Sequence, residues 1–302
     1  MMKSQLKKLK HIWVLNFLRR TFNATRYYNK KYMEIIKWGI ASNEDTNYTY
    51  DLTEGNMLYL AHIISFVVQK DNKTILAFIN EAQNDTFLKD HIIREIQQSD
   101  LKKFADQQIR FGRRMGWYAM IRALKPRTVV ETGVDKGLGS VIICAALLKN
   151  KEEGFEGRYY GTDINPKAGY LLTGKYRQVG EILYGDSIAS LSTFKDTIDI
   201  FINDSDHSAD YEYREYLTIK HLLTDDSIIL GDNSHSTDKL AIFSTEEERN
   251  FLFFQESPLN HWYPGGGIGI SFKTPKTSRQ AQNKITPESN TDNTVSMQAA
   301  SN

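Results

Sequence analysis

Cysteine is nearly absent: Cys144 is the only one among 302 residues. A single thiol excludes any disulfide framework within the chain, and its place inside VIICAALL (141–148) reads as core packing before it reads as a nucleophile. An excess of either charge is missing too. With 38 Lys and Arg against 37 Asp and Glu, the net charge is +1, so the whole chain offers no electrostatic case for nucleic acid. No apolar run approaches the roughly 18–20 residues that a membrane-spanning helix needs. The longest early candidate, IWVLNFL at 12–18, ends in Arg19 and Arg20, and no small-residue cleavage pattern follows it. Together these absences read as a cytoplasmic protein without a transmembrane segment. What is present, 40% apolar and 25% charged residues, suits a globular chain able to bury a core.

Residues 1–40 carry ten Lys or Arg against one acid, Glu34, with Ile12, Leu15, Leu18 and Phe22 at helical spacing. The expectation is an amphipathic helix packed on the body or on a second copy, with a membrane surface or an acidic partner as the alternative. The pattern stays helical to about 110. Asp51 or Thr53 is a candidate cap before MLYLAHIISFVV, and Asn72 or Thr74 marks a second start. His62 and His91 lie on these stretches and read as packing or surface residues. After GWYAMIRALKP, stopped by Pro126, short β-rich runs alternate with helical ones: TVVETG, RYYGTDI, GEILYGD, IDIFIND and SIILGD, with FLFFQES and GIGISFK closing the series. That alternation predicts an α/β fold, a Rossmann-like, doubly wound, mostly parallel seven-stranded sheet with an all-helical N-terminal region. The divisions fall at 1–112 (helical, a substrate lid or dimerisation region), 113–274 (the sheet domain) and 275–302, a polar tail read as disordered.

The first strand runs into ETGVDKGLGS. Gly133, Gly137 and Gly139 permit a tight turn and close backbone approach, but their G-x-x-x-G-x-G spacing is not the dinucleotide fingerprint, G-x-G-x-x-G. Glu131 suits a positively charged ligand better than a pyrophosphate. Asp163, ending the second strand in GTDINP, is placed to hold a ribose diol, and Asp186 and Ser187, in YGDS, to meet an adenine amino group.

Over about 115–273 these motifs, in this order, resemble class I S-adenosylmethionine-dependent methyltransferases. The ends of the fourth and fifth strands, INDSDH and GDNSH, resemble those of the metal-dependent O-methyltransferases of the catechol and caffeoyl-CoA type. That resemblance implies S-adenosylmethionine as cofactor and Asp204, Asp232 and Asn233 as ligands of Mg2+ or another divalent ion. It also implies a base three residues after Asp204, where the family has lysine and this chain has His207; neutral imidazole is a competent base near neutrality. His235 is the second candidate for base or ligand, and Asp206 for a ligand or an orienter of His207. Duller readings remain open: Asp204 or Ser205 as a helix cap, and His207 as a turn histidine. HWYPGGGIGISF (261–272) reads as a hairpin or as a loop roofing a substrate pocket. The expected activity is O-methylation of a small hydroxylated acceptor, a natural product or sugar as in bacterial tailoring enzymes. The alternatives are a metal-independent methyltransferase using His207 or His235, an oxidoreductase on a similar sheet, and a non-catalytic S-adenosylmethionine-binding partner. A homodimer is a candidate assembly.

Overall fold

The computed structural model describes residues 12–44, 48–106 and 108–274; the tail read as disordered lies outside them. Helix α1 spans Trp13–Ala41. Helices α2 (Glu54–Val68), α3 (Asn72–Gln83) and α4 (Thr86–Gln98) follow, each opened by a side-chain cap. Thr53 accepts from Asn56 N at 3.3 Å, Asp71 from Thr74 N at 2.9 Å and Asp85 from Leu88 N at 2.9 Å. The second start falls at Asn72 as read, but its cap is Asp71. Helix α5 (Arg114–Leu124) ends on Lys125, left-handed at φ 53°, just before Pro126, whose ring cannot continue a helix.

The sheet then builds as β1 (Thr128–Thr132), α6 (Leu138–Glu152), β2 (Arg158–Asp163), β3 (Gly180–Tyr184), α7 (Ser187–Thr193), β4 (Ile198–Asn203), α8 (Ala209–Ile219), β5 (Leu223–Gly231), α9 (Lys239–Glu246), β6 (Asn250–Gln255) and β7 (Gly267–Phe272). All seven strands read from the sequence form. Their order is β3-β2-β1-β4-β5-β7-β6, parallel except for β7, which is antiparallel to both neighbours. The order reverses between β1 and β4, and at such a switch point the strand ends open a crevice for a ligand.

Strand alternation divides the core in two. Val129, Ile200, Ile202, Ile228 and Leu230 face α2–α6, whereas Val130, Phe201 and Ile229 face α7–α9. The first cluster also contains Leu60, Ile64, Ile75 and Ile79, so the helical region from α2 onward shares its core with the sheet. Buried Arg122 ties three helices together, donating to Glu81 at 2.8 Å, Asn150 at 2.5 Å and Glu153 at 2.6 Å. Cys144 is fully buried on α6, and the Cβ that Gly180 lacks would stand 2.5 Å from its sulfur. Among the described residues no helix is long and apolar enough to cross a membrane.

Candidate active site

The parallel strands deliver their carboxyl ends to one edge, and two carboxylates hold those ends together. Glu215 on α8 accepts from Thr132 Oγ1 at 3.0 Å and Ser205 Oγ at 2.8 Å, and from Asn203 and Ser187. It thereby joins β1, the loop after β4 and α7. Asp163 accepts the backbone N–H groups of Val134 (3.1 Å), Asp135 (2.9 Å) and Asn165 (2.8 Å), which fixes the turn after β1. Gly133, at φ +80°, lets that turn meet the loop after β4: a Cβ there would lie 1.9 Å from the Asp204 carbonyl oxygen.

Between these loops lies a cavity of about 240 Å³, lined by Glu131, Gly133, Gly139, Asp163, Asp204 and His207, and by Arg114, which the sequence reading missed. Gly139 makes room for Glu131, whose Oε1 would sit 2.2 Å from an added Cβ. Burial pushes the Glu131 carboxyl up to about 7, against hydrogen bonds from Tyr159 and from Ser140 Oγ at 3.3 Å. The Arg114 guanidinium lies over the Trp117 ring at 5.5 Å, and its buried Nε has no hydrogen-bond partner among the described residues. A buried carboxylate and an incompletely bonded guanidinium thus line one cavity, a donor–acceptor set that matches a zwitterion.

At the cavity rim His207 Nδ1 bonds Asn233 Oδ1, while Asn233 Nδ2 donates to the Asp206 carbonyl at 3.4 Å. An amide oxygen only accepts, so His207 Nδ1 carries a proton, and in the neutral ring the lone pair lies on Nε2. Behind it Asp204 and Asp232 hydrogen-bond to each other. Burial, followed by the Asp232 charge, pushes the Asp204 carboxyl well above the carboxylate range. Burial opposes the Asp232 charge as well, yet Arg113 and Asp204 together hold that carboxyl below its usual value. Arg113 pairs with Asp232 and with Glu256 (3.2 Å), which also accepts from Tyr50 OH at 2.8 Å.

Each of the three residues read as metal ligands has a protein partner in this structure. Asp204 and Asp232 adjoin, but Asp232 already has a cation in Arg113 and Asn233 gives its oxygen to His207. No cluster of three or more His, Cys, Asp or Glu suited to a metal occurs among the described residues. Asp204 and Ser205 do not cap α8, whose N-cap is Ser208. Asp206 is exposed and accepts the Ser208 N–H at 2.7 Å, an ordinary turn contact.

Residues 130–234, from β1 to the turn after β5, match the family described as a methyltransferase domain. Over this third of the chain the sequence is similar to a methyltransferase domain. No curated protein matches the chain. Among solved structures it is similar to the O-methyltransferase from Bacillus cereus in complex with SAH, at 12% identity and TM-score 0.45, covering 66% of this chain and 100% of that one. It is also similar to the O-methyltransferase TomG of Streptomyces achromogenes, involved in tomaymycin synthesis, at 14% identity and TM-score 0.45, covering 63% and 91%. A rRNA methylase from Streptococcus thermophilus matches at 14% identity and TM-score 0.34, covering 49% and 87%.

Several residues singled out in the sequence are already engaged by the protein itself. Gly137 opens α6 in the left-handed region (φ 92°) and packs on Gly169. Asp186 caps α7, accepting from Ala189 N (2.8 Å) and Tyr211 OH (2.7 Å), and Ser187 belongs to the Glu215 network. Asp163 keeps about one free acceptor position of its four, so a ribose diol would have to share oxygens with the turn it holds. His235 is exposed and bonds the Asp232 carbonyl at 3.0 Å through Nδ1. Of the residues missed, Arg113 and Arg114 did leave a signal: two adjacent cations opening a helix oppose its dipole, which asks for a local reason.

A second cavity, of about 640 Å³, lies between α1 and the loop after β6, with Trp38, Tyr50, Arg110 and His261 in its walls. HWYPGGG forms the β6–β7 connection, and its Trp262 packs against Trp38 and Tyr48. Tyr263 N donates to His261 Nδ1 at 3.1 Å, so Nε2 carries the ring proton. That N–H and Trp38 Nε1–H are buried without a partner among the described residues. The tie from Tyr50 through Glu256 to Arg113 links this cavity to the Asp204–Asp232 pair.

Proposed function

We propose that the protein is an O-methyltransferase that methylates a hydroxyl of a small molecule, a natural product or a sugar, with His207 as general base. The observation that carries this reading is the His207–Asn233 bond, which leaves a basic Nε2 at the rim of the cavity that also holds Glu131 and Arg114. S-adenosylmethionine, when bound, supplies a methyl group made electrophilic by a sulfonium sulfur. Glu131 offers an anion to that cofactor's ammonium end, and Arg114 an unused donor to its carboxylate. The unpaired Arg114 Nε and the charge-starved Glu131 are the features that make the residues fit. His207 Nε2 takes the proton from the acceptor hydroxyl, and Asn233 Oδ1 holds the resulting imidazolium in place through Nδ1–H. The second cavity seats the acceptor's non-reacting part, with the His261 and Trp38 N–H groups directed to oxygen atoms and the Trp38 and Tyr50 rings flanking an apolar or sugar ring.

A divalent-metal-assisted reaction is the second reading, favoured by the contact between the Asp204 and Asp232 carboxyls. It requires Arg113 to give up its hold on Asp232. Both readings are tested by following labelled methyl transfer to a panel of hydroxylated aromatic and sugar acceptors. His207→Ala is expected to lower kcat by about 10²–10⁴-fold while leaving cofactor affinity in place; an unchanged kcat would remove His207 from the mechanism. Activity lost to EDTA and restored by magnesium in the wild type, together with a magnesium-binding signal that Asp232→Ala lacks, would establish the second reading.

A further inference from the structure

Helix α1 presents its amphipathicity in reverse. Over 29 residues, about 43 Å at the usual rise, it buries no residue. Placed on a helical wheel, Phe17, Leu18, Phe22, Ile35, Ile36 and Ile40 fall within one apolar arc about 180° wide. Every one of them is exposed, Phe22 to 63% and Ile40 to 83%. The polar side of the helix is the one that meets the body. Lys31 Nζ donates to the His261 carbonyl at 2.8 Å, half-buried Glu34 pairs with Lys30 and Lys31, and Trp38 stands edge-on to Tyr48 and Trp262. A helix folded to complete the core would turn the other way.

The charges say what suits the open face. Six cations (Arg19, Arg20, Arg26, Lys30, Lys31 and Lys37) stand against Glu34 alone, and residues 1–11 of the sequence add four lysines and no acid. Arg19, Arg26 and Lys37 run along one edge of the apolar arc; Arg20 and Trp13 lie at the other. We propose that α1 docks the protein on an anionic lipid surface, lying in the plane of the headgroups with its apolar arc toward the acyl chains and its cationic edges at phosphate level. A second copy suits this face less well. The arc is far wider than the seam of a two-stranded coil, and pairing two such helices would bring like-charged edges together. The charge density also keeps α1 from crossing the bilayer.

The test is co-sedimentation of the full chain with vesicles of phosphatidylcholine alone and of phosphatidylcholine mixed with phosphatidylserine. Binding is expected to the mixed vesicles only, weakening with salt. Leu18→Glu with Phe22→Glu and Ile36→Glu should abolish it. Each of Arg19→Gln and Arg26→Gln should lower the partition coefficient about fivefold. All these positions are exposed and outside the methyltransferase site, so circular dichroism and S-adenosylmethionine binding should match the wild type and certify the fold. Equal partition of wild type and triple variant, or no binding to anionic vesicles, would overturn the proposal. So would a dimer in sedimentation velocity that the triple variant converts to monomer, since the second copy would then be the occupant. Each of these outcomes is independent of the O-methylation reading.

Discussion

Glu131 is a carboxylate held in a place that resists its charge. With burial pushing it up to about 7, it is partly protonated near neutral pH. A ligand that brings a cation beside it must lower that value, so binding expels a proton. Titrating S-adenosylmethionine calorimetrically near pH 7 in two buffers of different ionisation enthalpy should therefore give different apparent enthalpies. Glu131→Gln should erase the difference and weaken binding about ten- to a hundredfold. Buffer-independent enthalpies for the wild type would mean that no cation approaches Glu131. This residue, Asp204 and His207 were legible because each sits at or just past a strand end, where a parallel sheet gathers its ligands. Asn233 was recognisable as an oxygen donor, but whether its oxygen faces a metal or an imidazole depends on a turn that spacing does not describe. Arg114 reaches the cavity only because α5 packs on α6, the helix that follows β1.

At the scale of elements, α8 illustrates what composition hides. Its run DYEYREY reads as a solvated helix, yet Glu212 and Glu215 point inward and are fully buried. The strands were easier to read, being short apolar runs punctuated by Asp or Gly. Burial pushes Glu215, like Glu131, up to about 7 from 4.5. Both carboxyls keep their protons in the folded chain after they have lost them in the unfolded one. Their stabilising contribution is full below pH 4.5 and is lost as pH rises through 7, by roughly 3 kcal/mol for each group. Asp204 acts in the same direction. His261, held neutral by burial, opposes it, but as one group. Asp186 and Asp232, held below the usual range, are ionised throughout this window. Urea denaturation should accordingly give a lower midpoint near pH 8 than near pH 5.5. A rise over that interval would show that both glutamates are ionised in the native state.

For the whole molecule, a division was expected at residues 112/113; the elements change from helices to an alternating sheet at Thr128, after α5. The core does not. Leu60, Ile64, Ile75 and Ile79 pack in one cluster with Trp117, Tyr118 and Ile142, and Arg122 joins acids from both sides of that line. Periodicity finds where elements change type; it does not say which faces will meet. Deleting residues 1–41 removes no buried side chain from the described structure, so the unfolding midpoint should move little. Deleting 1–112 strips one face of α5 and α6 and should leave no cooperative transition. A stable, cooperatively unfolding 113–302 fragment would show that the sheet domain stands alone.

The lone thiol gives this chain a built-in clock. Cys144 is shut away twice: packing closes it off from solvent, and burial followed by the Glu131 charge raises its pKa so that it stays a thiol rather than the reactive thiolate. It lies under the seam where α6 meets β2 and the start of β3, on the side of the sheet opposite α7–α9. A thiol-specific alkylating reagent reaches it only when that seam parts, and with one thiol in the chain every such modification counts one opening.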